Sequence, residues 1–134
     1  MMKIRIVSSK DDIKDLTRND LTVHLAFRAS STDMFRLLQA SPRLRAVQVP
    51  PTYYKNMPQT GRAFLETQGV EIIEGDVWGH RKDIDEYYVV DNETIERIND
   101  LQSEGLKVEE ISSRISWESK LSPAMVNYII KQTA

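Results

Sequence analysis

Short apolar, β-branched runs alternate with amphipathic helical segments over the first half of the chain. The predicted strands are Lys3–Val7, Leu21–Phe27, Leu44–Val49 and Val70–Glu74. Since parallel neighbours need a crossover connection, usually a helix, this alternation predicts right-handed crossovers and a parallel sheet. We therefore predict an α/β fold with a four-stranded, mainly parallel sheet.

Residues that start and stop helices support this alternation. Ser30–Asp33 offers hydroxyl and carboxylate caps to an amphipathic helix, which Pro42 closes. Pro58 suits the first turn of the next helix, and Gly69 suits the left-handed position that ends it. The segments between the strands are therefore predicted to be helical.

The pattern changes after Tyr88, where three short helical segments follow one another. Their apolar residues recur at helical spacing. These residues are Ile95, Ile98 and Leu101 in the first segment, Val108, Ile111 and Ile115 in the second, and Val126, Ile129 and Ile130 in the third. We predict a sheet domain at residues 1–88 and a three-helix tail at residues 89–134, packed on or beside the sheet.

Composition limits the classes of function. A chain of 134 residues can bury one good core, and its net charge of −2 argues against strong attraction to phosphate backbones or anionic membranes. Cysteine is absent, which excludes disulfides and thiolate sites. No apolar run approaches the roughly 18–20 residues of a membrane span. The first residues have only a short apolar patch and do not match the pattern of a signal peptide. We expect a cytoplasmic protein that does not enter membranes.

Chemically rich loops follow the second, third and fourth predicted strands. Because the exit loops of parallel strands gather along one edge, we expect these side chains to surround one cleft. The predicted ligand-binding residues are Arg28, Ser30, Ser31, Tyr53, Lys55, Asp76, Trp78, His80, Arg81 and Lys82. Cations beside a capped helix N-terminus form a site for an anion such as phosphate or carboxylate. The sequence therefore predicts a small-molecule binding protein for an anionic ligand, with a regulatory role left open.

Several of these residues also have a structural interpretation. Ser30 and Ser31 are more often helix caps than ligands, and Trp78 would equally serve as an apolar plug between the sheet and the tail. His24 alternates within a strand, which is typical of a core histidine. His80 lies in a polar loop bounded by glycines, so it is the candidate general acid or base, although the sequence leaves open whether the protein is an enzyme.

Metal and cofactor sites are disfavoured. Asp76, His80 and Asp83 could ligate a divalent ion, but the cations Arg81 and Lys82 next to His80 would repel it. We therefore predict no metal. The first strand is not followed by a glycine-rich phosphate loop, so no cofactor follows from the sequence.

The tail supports an alternative function, a nucleic-acid-binding or transcription-linked protein. Residues 104–111 resemble the first part of a helix-turn-helix, and Ser122 could start a recognition helix. However, the link from Ile115 to Ser122 exceeds the usual three- or four-residue turn. Residues 92–134 also hold seven acidic and five basic side chains, whereas a DNA reader should present a basic face. We therefore expect the tail to cover the sheet and treat nucleic acid as an unlikely partner. A homo-oligomer that buries the Trp78 loop is a further alternative.

Two resemblances add to this interpretation. Segments 41–49 and 67–72 resemble the flavodoxin-like substrate domain of the 2-hydroxyacid dehydrogenases. This resemblance implies a flavodoxin-like or Rossmann-like sheet and says nothing about activity. Segments 24–28, 46–51 and 74–83 are similar to an uncharacterised archaeal domain of unknown function found in methanogens. This second resemblance runs nearly end to end and implies an intracellular archaeal protein, without a mechanism.

Overall fold

The computed structural model describes residues 2–77 and 87–133, and its centre is a five-stranded sheet. The strands are β1 (Met2–Val7), β2 (Thr22–Leu25), β3 (Ala46–Val49), β4 (Glu71–Glu74) and β5 (Tyr87–Val90). They lie in the order β4-β3-β2-β1-β5. The first four are mutually parallel, and β5 pairs antiparallel with β1. The predicted α/β class and the mainly parallel sheet are thus confirmed.

The predicted count of four strands is one too few. β5 is only four residues long, and a helix begins at Asn92 directly after it. Its partner is the start of β1, with Met2 opposite Val90. This pairing joins distant parts of the chain, so the local pattern of apolar residues does not predict it. The available signal was the run of two tyrosines and two valines from Tyr87, because these residues favour strands.

Helices occupy the connections between the parallel strands and the C-terminal part of the chain. A short 3-10 helix (Lys10–Asp15) follows β1. The α-helices are α1 (Ser31–Ala40), α2 (Pro51–Lys55), α3 (Gln59–Thr67), α4 (Asn92–Ser103), α5 (Val108–Glu118) and α6 (Pro123–Thr133). Gly69 follows α3 with a φ of +83°, as its predicted role at the helix end requires.

The two faces of the sheet are buried by different sets of helices. One core joins Val23 and Val47 to the 3-10 helix, α1 and α3. The other joins Ile4, Ile6 and Ile73 to α4, α5 and α6. The strand order runs from β1 to β4 without reversing, so right-handed crossovers place all the connecting helices on one side. The C-terminal helices therefore supply the layer that the opposite face needs.

The contact between α1 and α3 depends on the absence of a side chain at Gly61. A Cβ there would lie 2.5 Å from Met34 Sδ and 2.9 Å from the backbone Cα of Ser31. We expect Gly61→Ala to destabilise the fold, because overpacking costs about 1–3 kcal/mol. Alanine favours a helix over glycine by about 1 kcal/mol. The cost of overpacking should exceed this gain, because the Ser31 backbone cannot rotate away as a side chain could. Urea unfolding measures the difference.

Thr60→Ala is the matched control for this substitution. Thr60 lies next to Gly61 in α3 and is exposed. Its replacement should change the free energy of unfolding by no more than about 0.5 kcal/mol. A Gly61→Ala protein as stable as wild type would contradict the packing described for α1 and α3.

Candidate functional site

The serines after β2 serve the local structure. Ser30 Oγ accepts a hydrogen bond from the Asp33 amide at 3.1 Å, while the Asp33 carboxylate accepts one from the Ser30 amide at 2.9 Å. This reciprocal pair is a capping box at the start of α1. Ser31 Oγ accepts a hydrogen bond from the Gly61 amide at 3.0 Å and thereby joins α1 to α3. Both hydroxyls therefore have partners within the fold.

Two of the predicted ligand-binding residues lie together at the carboxyl edge of the sheet. Arg28 and Tyr53 line a cavity of about 10 Å³, together with apolar side chains such as Met34 and Met57. That volume is about the space of one water molecule. Lys55 ends α2 and is exposed.

The remaining predicted residues divide between described and undescribed positions. Trp78, His80, Arg81, Lys82 and Asp83 lie outside the described residues. Asp76, which comes just before them, is described. The anionic-ligand site and the role of His80 therefore stay predictions.

Asp76 pairs with a histidine in the core. His24 is completely buried, as expected from its place in an alternating strand, and its Nε2 lies 3.3 Å from Asp76 Oδ1. The other ring nitrogen, Nδ1, lies 2.8 Å from Oε1 of Gln48, which is also fully buried. Val77 packs in the same core as the C-terminal helices. The segment after β4 thus begins beneath these helices.

Ser122 connects this buried polar group to α6. Its Oγ accepts a hydrogen bond from the Met125 amide at 3.2 Å and so caps the helix. The same hydroxyl donates to the carbonyl of Glu74 at 3.1 Å and accepts from Gln48 Nε2 at 3.4 Å. Sequence reasoning missed the role of Gln48. The available signal was a polar residue inside a predicted strand, the feature that singled out His24, and Gln48 lies opposite His24 in the strand register.

The last two helices are joined by a short turn. α5 continues to Glu118 and α6 begins at Pro123, which leaves the four residues 119–122 between them. The prediction that this link is too long for a helix-turn-helix was therefore wrong. Apolar periodicity stops at Ile115, but α5 runs one turn further. Arg97 of α4 contacts that turn, donating two hydrogen bonds to the exposed Glu118 at 3.2 and 3.1 Å.

The arrangement of α4, α5 and α6 defines a helix-turn-helix unit whose outer face is a shallow groove. The groove encloses about 420 Å³ between α5 and α6. Its lining residues are Glu109, Ser112, Ser113, Ser116, Trp117, Pro123 and Asn127. The Ser112 hydroxyl donates to Oδ1 of Asn127 and fixes one helix against the other. Trp117 is 89% exposed, which is unusual for so large an apolar side chain.

Exposed charge pairs and a buried phenol join the helices of the unit to one another and to the sheet. The hydrogen bonds to Arg97 lower the pKa of the Glu118 carboxyl, and the same pair raises the pKa of Arg97. At the far end of α6, Lys131 Nζ lies 2.7 Å from Glu71 Oε1 of β4. Tyr128 of α6 is buried, and this burial raises the pKa of its phenol.

Comparison with known proteins identifies the family. Residues 3–86 match the N-terminal domain of a family of unknown function, DUF1699, and residues 93–131 match the C-terminal helix-turn-helix domain of the same family. The chain belongs to the DUF1699 family. No curated protein and no solved structure matches it. The expected membership of a family of unknown function is thus confirmed, whereas nothing supports the similarity to dehydrogenases or the archaeal source.

The family match also corrects the expected partners. We expected the tail only to cover the sheet and judged nucleic acid an unlikely partner. A helix-turn-helix domain at residues 93–131 points instead to nucleic acid. The charge balance misled the prediction because a helix-turn-helix is defined by the packing of its helices, which a count of acidic and basic side chains does not record. The division of the chain at residues 88 and 89 stays a prediction. No described helix is long and apolar enough to cross a membrane.

The buried phenol of Tyr128 predicts how the docking of α6 responds to alkali. Its pKa in the folded protein lies above the ordinary value of 10.0, so its contribution to stability is complete below pH 10. This contribution is lost as pH rises through the folded pKa. We expect stability to fall less steeply above pH 10 in Tyr128→Phe than in wild type, in urea unfolding measured at several pH values. Equal slopes would contradict this account.

Proposed function

We propose that this protein binds DNA through its C-terminal helix-turn-helix unit. The observation that carries the proposal is the four-residue turn between α5 and α6, within the segment that matches a helix-turn-helix domain. In such motifs the second helix of the pair contacts base edges and the first crosses the DNA backbone. By this assignment α6 is the recognition helix and α5 the positioning helix.

The exposed side chains of the groove offer suitable contacts for DNA. The Ser113 hydroxyl of α5 can donate to a phosphate oxygen, and the Ser116 hydroxyl can do so by exchanging its 2.7 Å bond to the Ser112 carbonyl. Trp117 offers a flat surface and an indole N–H beside them. Asn127 of α6 is half-buried and its Oδ1 accepts from Ser112, which leaves Nδ2 to donate to a base acceptor such as adenine N7 in the major groove. These four residues are the proposed DNA contacts.

The charge of the unit sets an expectation for the kind of binding. Glu109, Glu110 and Glu118 accompany Arg114 on α5, so this helix carries net negative charge. Phosphate contacts release counterions, and each one steepens the dependence of affinity on salt. We therefore expect few phosphate contacts and a shallow salt dependence, with affinity resting mainly on hydrogen bonds and on Trp117.

Fluorescence anisotropy with labelled duplex DNA tests the proposal. We expect saturable binding in about 50 mM salt and weaker binding in about 200 mM salt. The logarithm of the affinity should fall with the logarithm of the salt concentration less steeply than it does for a strongly basic DNA-binding protein. Asn127→Ala should weaken binding to a selected sequence by less than the roughly 3 kcal/mol upper value of a bidentate base contact, because only Nδ2 is left to contact a base. Trp117→Ala should weaken binding to every sequence.

Val89→Ala is the control for these variants. Val89 is an exposed apolar residue of β5, and its immediate neighbours Tyr88 and Val90 pack in the core shared with α4–α6. Alternation along a strand therefore places Val89 on the opposite face of the sheet. This substitution should leave DNA affinity unchanged. Absence of binding at 50 mM salt to both duplex and single-stranded DNA would refute the proposed function.

A further inference from the structure

The N-terminal end of α6 is held against the sheet by a chain of buried polar side chains. We propose that this contact restrains the helix-turn-helix and that its release increases DNA binding, an inference that rests on the proposed function. The chain, termed here the α6 lock, consists of Asp76, His24, Gln48 and Ser122. It makes the α/β domain a regulator of the helices that follow it.

The lock is continuous from the surface to the recognition helix. Asp76 is 30% exposed, and its carboxylate lies 3.3 Å from His24 Nε2. His24 Nδ1 lies 2.8 Å from Gln48 Oε1, and Gln48 Nε2 donates to Ser122 Oγ at 3.4 Å. Such a contiguous path of packed polar groups can carry a change at Asp76 to the start of α6.

Close approach of the backbone completes the lock. A Cβ at Gly75 would overlap the Ser122 side chain and come within 2.9 Å of Gln48 Nε2. Ser122 also donates to the carbonyl of Glu74, so α6 begins in direct contact with the end of β4. Only glycine at position 75 leaves room for this arrangement.

This position of α6 conflicts with full use of a recognition helix. Helix-turn-helix proteins read bases with the N-terminal residues of that helix. Here Ser122 is only 7% exposed, and Met125 and Val126 are fully buried. In the first turn, Pro123 is exposed and Ala124 is half-buried. The sheet therefore covers much of the N-terminal end of α6, which DNA would approach. While α6 is held in this position, DNA binding relies on the groove residues.

The experiment loosens the lock without removing a proposed DNA contact. Gln48→Met keeps a side chain of similar length but removes both the bond to Ser122 and the bond to His24. Amide hydrogen exchange in the first turns of α6 reports on release of the helix, and anisotropy with duplex DNA reports on affinity. We expect faster exchange and about threefold to tenfold tighter binding. This is the range that the net contribution of one hydrogen bond implies, and of the two bonds removed the one from Gln48 to Ser122 joins α6 to the sheet.

Glu71→Gln is the matched control. It removes the charge pair with Lys131, which also joins α6 to the sheet but is exposed and lies at the other end of the helix. Exposed pairs contribute little, so exchange and affinity should both stay close to wild type. If Gln48→Met does not fold by circular dichroism, Gln48→Leu removes the same two bonds and leaves the Ser122 cap of α6 in place.

The outcomes separate the lock from the proposed function. Unchanged exchange in a folded lock variant would overturn the lock. Faster exchange with unchanged or weaker DNA binding would overturn the claim that release increases binding. Faster exchange in a protein that binds no DNA, in wild type or variant form, would support the restraint of α6 and refute the proposed function.

Discussion

The burial of both faces of the sheet is the constraint on which the rest of the structure depends. The parallel strands carry apolar side chains on each side, and their connecting helices cover only one. The antiparallel β5 then leads into α4, α5 and α6, which bury the other face. Without these helices Ile4, Ile6 and Ile73 would be exposed to water, at a cost of about 1.5–3 kcal/mol for each side chain. The two family domains therefore share one core.

This shared core gives α6 two roles that compete. Its inner side must fill the space over β3 and β4, and its outer side must be available to a partner. Met125, Val126 and Ile129 serve the first role, and in the proposed function Asn127 and the neighbouring Trp117 would serve the second. A recognition helix built into a domain core is held more firmly than one in an isolated bundle. Such a helix is also open to control by the sheet on which it rests.

The sequence predicts the sheet better than the site. Short apolar, β-branched runs located β1 to β4, and capping residues such as Ser30 located α1, because local chemistry determines both. β5 was missed because its pairing with β1 depends on residues distant in sequence. The end of α5 was placed too early, since its last turn buries no apolar residue and its contact with Arg97 comes from another helix. Both errors arise from tertiary contacts that local patterns do not record.

The predicted and proposed sites differ for a related reason. Polar residues at the ends of strands suggested an open edge, but Ser30 and Ser31 bond within the fold and Asp76 pairs with the buried His24. The groove on α5 and α6 was not predicted as a site, because the tail was expected only to cover the sheet. Only the length of the turn and the packing of the two helices distinguish it from an ordinary solvated surface.

Chemical shift changes of backbone amides during titration with duplex DNA test the central claim most directly. The account predicts changes concentrated at Ser113, Ser116, Trp117 and Asn127, with β5 unaffected. Changes confined to the strand-exit loops at residues 28–31 and 50–55, or no changes at low salt, would contradict it.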